Sequence, residues 1–203
     1  QKKVEGRNFD IRKHLVEYDD VMNIHRNVVY KMRRKFLDKE DCSEEIKEMI
    51  EELAENIVRN HTEARKPQDW NRKEIYEAVN AIHHEDVSNY KLEDIEGIKD
   101  QDQLIKKTQD YLMENYSKRE KELPEAKIMR RIEKAIYLRA NDVLWMEHID
   151  SMTRLRENVA FSGYAQKDPL TEYKSQGYNT FMRMLNMVKS NTVNTLFKID
   201  LEK

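Results

Sequence analysis

Ile11-Arg-Lys-His-Leu15-Val-Glu-Tyr18-Asp-Asp-Val-Met22-Asn-Ile-His25-Arg-Asn-Val-Val29-Tyr-Lys-Met32-Arg-Arg-Lys-Phe36 carries the spacing that decides the fold. Its numbered positions recur in steps of 4, 3, 4, 3, 4, 3, 4. That is a 3.5-residue period, which lays one apolar seam along a single long helix. Val21, Ile24 and Val28 widen the seam, and no Gly or Pro interrupts residues 7–40. At 1.5 Å per residue, roughly 31 helical residues span about 46 Å. A compact globule of this length would be only about 43 Å across, so the spacing predicts an elongated molecule. His25 falls inside the seam, where a hydrogen-bonded packing role suits it. The same seam would also serve a second copy, so a homodimeric helical scaffold is an alternative reading.

The whole composition agrees with an all-α fold. Four glycines and three prolines in 203 residues leave too little turn chemistry for a strand-based architecture. The mean hydropathy of −0.96 resembles that of a disordered chain, but balanced charge and regular apolar spacing oppose that reading. Cys42 is the one cysteine and has no internal partner for a disulfide. No run approaches the roughly 20 apolar residues of a membrane span. The chain opens with Gln-Lys-Lys rather than Met, and we read it as a piece of a longer protein.

Charge is laid out in blocks. Residues 1–40 hold 11 basic and 7 acidic side chains, residues 41–127 hold 14 and 23, and residues 128–203 hold 12 and 9. Two mildly basic ends around an acidic middle suggest a discontinuous domain with an inserted segment, although ordinary solvated helix faces give such blocks too. Within the middle, Ser43 is a candidate helix N-cap, with Glu44 and Glu45 at the positive helix end. Ile46, Met49, Ile50, Leu53 and Ile57 line one face of the helix that follows. Asn71 with Glu74, and Asp100 with Gln103, resemble reciprocal capping pairs. Residues 65–71 form a loop, and Gly97 ends a short turn over 92–96. The segment reads as a bundle of three or four helices.

Pro124 is placed for the first turn of the next helix. From Ile128 to Leu155 the apolar residues Ile132, Ile136, Leu138, Val143, Leu144, Trp145, Ile149 and Met152 lie on nearly all sides, as in a central helix. A loop follows from about residue 159 to 167. Asp168-Pro169 then supplies an N-cap and a first-turn proline. The last helix carries Phe181, Leu185, Val188, Leu196 and Ile199 on one side, so the two helices form an antiparallel hairpin. Trp145 is expected to be buried where this hairpin meets the first helix.

Catalytic machinery is missing from the pattern. No Gly-x-x-x-x-Gly-Lys-Ser/Thr occurs to cradle phosphates. His83 and His84 diverge by about 100° on a helix and cannot share a metal. No His/Cys group has zinc spacing. The basic run Lys31-Met32-Arg33-Arg34-Lys35 would suit phosphate or lipid headgroups, and equally a solvated helix face. The hairpin loop says more. Val159-Ala160-Phe161-Ser162-Gly163-Tyr164-Ala165-Gln166-Lys167 is longer than the 2–8 residues usual between helices, and it holds two aromatics. Either these form a contact surface at the tip, or they pin the loop onto its own helices.

Two blocks carry a family resemblance. Gln1-Lys-Lys-Val-Glu-Gly-Arg-Asn-Phe-Asp-Ile-Arg-Lys-His-Leu-Val-Glu-Tyr-Asp-Asp-Val-Met-Asn23 resembles the start of the long scaffold helix of SecA, the bacterial preprotein translocase motor family. Leu144-Trp-Met-Glu-His-Ile149, Met152, Leu155-Arg156, Gly163-Tyr-Ala-Gln-Lys-Asp-Pro169 and Glu172-Tyr-Lys174 resemble that family's two-helix finger and its tip. Two positions depart from the family pattern. Phe161-Ser162 stands where many members have Leu-Arg, and Met146 follows the tryptophan where Lys is usual.

The resemblance implies three parts: a helical scaffold over 1–40, a helical wing insertion over 41–127, and the two-helix finger with the scaffold return over 128–203. It implies a non-catalytic module that contacts the preprotein chain and the SecY channel and regulates the motor's ATPase. Phe161, Ser162, Gly163, Tyr164, Ala165, Gln166 and Lys167 would be the contacting tip. Ile11, Leu15, Tyr18, Met22, His25, Trp145 and Ile149 would be the scaffold packing. No cofactor is expected in this segment, since ATP and Mg would belong to motor domains elsewhere in the protein. The implied partners are the preprotein, the SecY channel, and the protein's own motor and preprotein-binding domains. An anionic membrane surface is a further one, and nucleic acid is not. The implied location is cytoplasmic, peripheral at the inner face of the cell membrane.

Overall fold

The seam predicted from the 3.5-residue period is one face of α1 (Lys2–Asp38), the first of seven α-helices among the described residues. The computed structural model describes residues 2–64, 66–83, 90–161 and 168–200, and the side chains of 2–15, Ala160 and Phe161 lie outside the described set. After α1 come α2 (Ser43–His61), a 3-10 turn (Pro67–Asp69), α3 (Arg72–Asn80) and α4 (Glu93–Glu96). Then follow α5 (Gln101–Glu122), α6 (Ala126–Phe161) and α7 (Pro169–Lys198). Among the described residues there is no strand, and the fold is all-α.

Several helix ends follow the capping logic of the sequence. Asn71 Oδ1 accepts from Glu74 N, and Asp100 Oδ1 accepts from Gln103 N at 3.0 Å. The Glu74 carboxylate turns instead to His61 Nδ1, 2.9 Å away. Gly97 closes α4 at φ −80°, a conformation open to any residue. Three ends differ from expectation. Ser43 is the first residue of α2 rather than its cap, because the Asp41 carboxylate reaches over Cys42 to accept from Ser43 N at 2.8 Å. Pro124 precedes α6 by two residues, in a bend after Leu123. The helix before the tip continues to Phe161, two residues past the expected loop start.

The chain divides into two compact units, each built from separated segments. One holds residues 1–38 and 138–188. The other holds 39–137 and 189–203.

In the second unit α2 packs on α5. Ile46, Ile50, Ala54 and Val58 repeat every four residues and are fully buried, as are Leu104 and Leu112 on α5. Ile75, Val79 and Ile95 close the same core from α3 and α4. Arg72 ties the connecting loop together: its guanidinium donates to the carbonyls of Pro67, Ile98 and Ile95 at 2.7, 2.7 and 3.2 Å, and lies over the Trp70 ring. The last turns of α7 belong here too. Phe197 meets His83 edge-on at 4.8 Å, Arg119 donates to the Ile199 carbonyl, and Lys189 pairs with Glu52.

In the first unit α1 and α7 run parallel and α6 runs antiparallel to both. Tyr18 meets Tyr173, and His25 meets Phe181, so the two helices advance together. His148 meets His25 while Asp142 meets Arg33, so α6 advances the other way. α6 and α7 therefore form an antiparallel hairpin braced by α1. One expectation changes: α6 is not apolar in contact on all sides. Val143 and Met146 are 52% and 63% exposed, while Leu144, Trp145, His148 and Met152 are buried.

Candidate functional site

The candidate site is the hairpin formed by α6 and α7, and the residues that hold its two strands of helix in register. Asp168 starts α7. Its Oδ2 accepts from Thr171 N at 2.9 Å and from the Thr171 hydroxyl at 2.6 Å, and Pro169 occupies the first helical position. Sequence chemistry thus fixes where the tip ends and the returning helix begins.

Below the tip, Val21, Met152, Val159 and Tyr173 form one buried cluster from all three helices, with Tyr18, Met22 and Leu155 packed around it. Tyr18 and Tyr173 meet edge-on, ring centroids 4.8 Å apart. Burial raises the pKa of both phenols; the Asp168 charge adds to the rise at Tyr18. Gly177 lets α7 close on this cluster. A Cβ there would stand 2.8 Å from Met152 Cε.

One level further down lies a stack of rings. His25 lies flat on Phe181 with centroids 4.1 Å apart and planes 7° apart. His148 touches His25, Phe181 and Trp145, and its Nε2 is 3.1 Å from His25 Nδ1. His148 Nδ1 is buried without a partner. The arrangement that leaves no buried N–H unpaired has His148 donate from Nε2 to His25 Nδ1, with only a lone pair on the orphan nitrogen. Burial lowers the pKa of both rings, and His148 is brought down to about 4 by burial and by His25. The stack is a neutral packing joint.

At its lower end Arg33 grips Asp142 with two bonds, Nε to Oδ1 at 2.9 Å and Nη2 to Oδ2 at 3.2 Å. The hydrogen bonds with Arg33 hold the Asp142 carboxyl below its ordinary range.

The residues expected as scaffold packing distribute as follows. Tyr18 and Met22 are half-buried on the cluster, His25 and Trp145 are buried in the ring stack, and Ile149 is half-buried on α6. The side chains of Ile11 and Leu15 lie outside the described residues. So does the expected tip: Phe161 is the last helical residue of α6, while Ser162, Gly163, Tyr164, Ala165, Gln166 and Lys167 are not among those described. Tyr173 and His148 fall in the two blocks that carry the resemblance but have no role assigned there, and Gly177 is not singled out from sequence. Tyr173, Gly177 and Phe181 share a four-residue spacing that would have placed them on one face of α7.

Among the described residues no group of three or more His, Cys, Asp or Glu side chains could hold a metal, and no helix is long and apolar enough to cross a membrane.

A helical hairpin clamped to a third long helix, with a separate helical unit spliced into the chain, defines a structural scaffold module. The model of the SecA wing and scaffold domain matches residues 1–200, and the chain belongs to that family. It is 37% identical over 202 residues to the protein translocase subunit SecA of Aquifex aeolicus, covering 100% of this chain and 20% of the relative. Identity is 40% over 202 residues to that of Brachyspira hyodysenteriae, covering 98% and 20%. It is 38% over 208 residues to that of Clostridium botulinum, covering 100% and 24%. The chain thus spans about a fifth to a quarter of the length of these relatives. The matching family model is that of the wing and scaffold, a module distinct from a nucleotide-hydrolysing motor.

Proposed function

We propose that this chain is the scaffold, wing and two-helix finger of an ATP-driven protein export motor, and that it transmits force and regulation without doing chemistry. The observation that carries the reading is the family match across residues 1–200. The geometry supports it. A finger that enters a channel must be stiff at its base, and the cluster at Tyr173 and the ring stack at His148 brace both finger helices against α1. In this reading residues 161–167 contact the preprotein chain at the cytoplasmic mouth of the SecY channel. Residues 41–127 are the wing. The module works at the inner face of the cell membrane, against the motor and preprotein-binding domains of the same protein, with an anionic membrane surface as a further contact. ATP and Mg bind those motor domains and not this segment.

Tyr164→Ala in the full-length motor tests the reading. Preprotein transport should slow while nucleotide binding stays intact, and Tyr164→Phe should do less harm because it keeps the ring. Unchanged transport would remove the tip assignment. Calorimetric titration of the 203-residue chain with ATP and Mg should give no saturable heat.

One observation favours a second reading, a homodimeric scaffold. Val16, Ile24, Tyr30 and Leu37 on α1 are 44–62% exposed. Yet the main seam is spent within the chain, since His25, Val29 and Phe36 are buried and Tyr18, Met22 and Met32 are half-buried. Light scattering at moderate concentration should report a monomer; a concentration-independent dimer would favour the second reading.

A further inference from the structure

Glu133 has no exposed surface, and it sits where α5, the first turns of α6 and the connection between α1 and α2 meet. Its Oε1 accepts from the Tyr116 hydroxyl at 2.7 Å and from Arg130 Nη2 at 3.0 Å. The same Arg130 nitrogen donates to Glu120 Oε1 at 2.7 Å and to the Tyr116 oxygen at 2.8 Å, and Arg130 Nη1 reaches Asp41 Oδ1 at 3.4 Å. Two buried atoms of this knot are left without partners, Glu133 Oε2 and Arg130 Nε.

One cation therefore serves three carboxylates. Asp41 and Glu120 keep 66% and 32% of their side-chain surface, so water stabilises their charges. Glu133 has no such help, and one of its oxygens accepts no hydrogen bond. It is the member that gains most from neutrality. We propose that the Arg130 knot is a proton-operated latch: uptake of one proton by Glu133 tightens the hold of α6 on α5, and its release loosens that hold.

Every neighbouring charge bears on this balance. Burial pushes Glu133 up, Tyr116 and Arg130 pull it down, Glu120 and Asp41 push it further, and it comes to rest at about 7. Burial also opposes the Arg130 charge, but Glu133, Tyr116, Glu120 and Asp41 outweigh it and raise its pKa. From the connection before α2 the Cys42 thiol feels the Glu133 charge, and from α2 Lys47 lies in the field of Glu120 and Arg130; Lys134, next on α6, acts on Cys42.

The direction follows from linkage. The folded chain keeps a proton that the unfolded chain gives up near 4.5. The stabilisation is complete below that value and is lost as pH rises through about 7. Between pH 6 and 8 the folding equilibrium constant of this unit should fall about tenfold on account of Glu133. His83 in the same unit works the other way, since burial, with Arg119, brings it down to about 4. Only comparison with a variant isolates the carboxyl.

In the 203-residue chain labelled with ¹³C at glutamate side-chain carboxyls, one resonance should titrate near pH 7 and vanish in Glu133→Gln. Urea unfolding, followed through the amide resonances of α5, should show wild type losing about tenfold in folding constant relative to Glu133→Gln between pH 6 and 8. A Glu133 carboxyl that titrates below pH 5, or a constant ratio between the two proteins, overturns the latch. Should Glu133→Gln fail to fold, through-bond assignment of the wild-type resonance decides by itself. The latch concerns the wing unit alone and does not depend on the export reading.

Discussion

His25 and His148 are 123 positions apart in sequence and 3.1 Å apart in the fold. The heptad spacing made His25 legible as a packing residue. It carried nothing about a partner, because a contact between helices leaves no periodicity in either one. Their pH behaviour follows from burial without a carboxylate. Among the described residues no acidic group of α1, α6 or α7 acts on either ring. In the folded chain His148 releases its proton down to about 4, while the unfolded chain binds one near 6.5. The joint's full stability is present above 6.5 and is lost as pH falls toward 4, a loss of up to about 3 kcal/mol. Hydrogen exchange of α7 amides between pH 7 and 4.5, corrected for intrinsic rates, should show this loss, and His148→Gln should flatten it. Trp145, 8% exposed beside His148, supplies a second measure. Trp145→Ala should cost about 3–5 kcal/mol in chemical denaturation; a cost below about 1 kcal/mol would mean the ring stack does not hold the helices. Glu133 and Arg130 were invisible at this scale for the opposite reason to His25. Charged residues on a helix read as solvated surface, and only the fold shows that α5 lies over them.

At the scale of the helix, the ends were legible wherever one side chain caps its own chain neighbours. Asn71, Asp100 and Asp168 each satisfy a backbone N–H three residues on. The start of α2 was not, because Asp41 caps from two residues further out than the sequence pattern placed the cap. Pairing of helices was less legible again. α7 shows its apolar positions, but not that Gly177 faces α6 and α1 closely enough for a Cβ to stand 2.8 Å from Met152 Cε and 3.7 Å from Val21 Cγ1. The nearest of these atoms is the end of a flexible thioether. Gly177→Ala should therefore change stability by less than about 1 kcal/mol, since the gain in helix propensity, also about 1 kcal/mol, offsets the crowding. Gly177→Leu cannot be accommodated by one methyl swinging aside and should cost about 1–3 kcal/mol or more. Urea unfolding of the two variants separates a close helix approach from a merely tolerated glycine. Equal stability of Gly177→Leu and wild type would mean α7 stands off from α6.

Over the whole chain, the blocks of charge pointed to a discontinuous arrangement, and compactness places its own boundaries at 38/39, 137/138 and 188/189. What the sequence could not display is which distant segments complete the unit around α2 and α5. Phe197 lies edge-on to His83 at 4.8 Å, Arg119 donates to the Ile199 carbonyl, and Lys189 pairs with Glu52. From α6, Arg130 and Glu133 bond Tyr116, and Lys134 donates to the Lys39 carbonyl. A piece containing only residues 41–127 would expose the His83 ring, and would leave the Tyr116 hydroxyl without Glu133 and Arg130. Each such loss costs about 1–3 kcal/mol where a buried polar group is stranded, against a domain stability of only about 5–15 kcal/mol. The 41–127 piece should therefore melt broadly and at lower temperature than one in which 39–137 is joined by a flexible linker to 189–200. Adding the second segment should sharpen the transition and bring the α5 amides back to the shifts they have in the full chain. If 41–127 alone gives the full-chain shifts and the same melting temperature, the α6 and α7 contacts contribute nothing to the wing, and its core of Ile46, Ile50, Leu104 and Leu112 is sufficient without them.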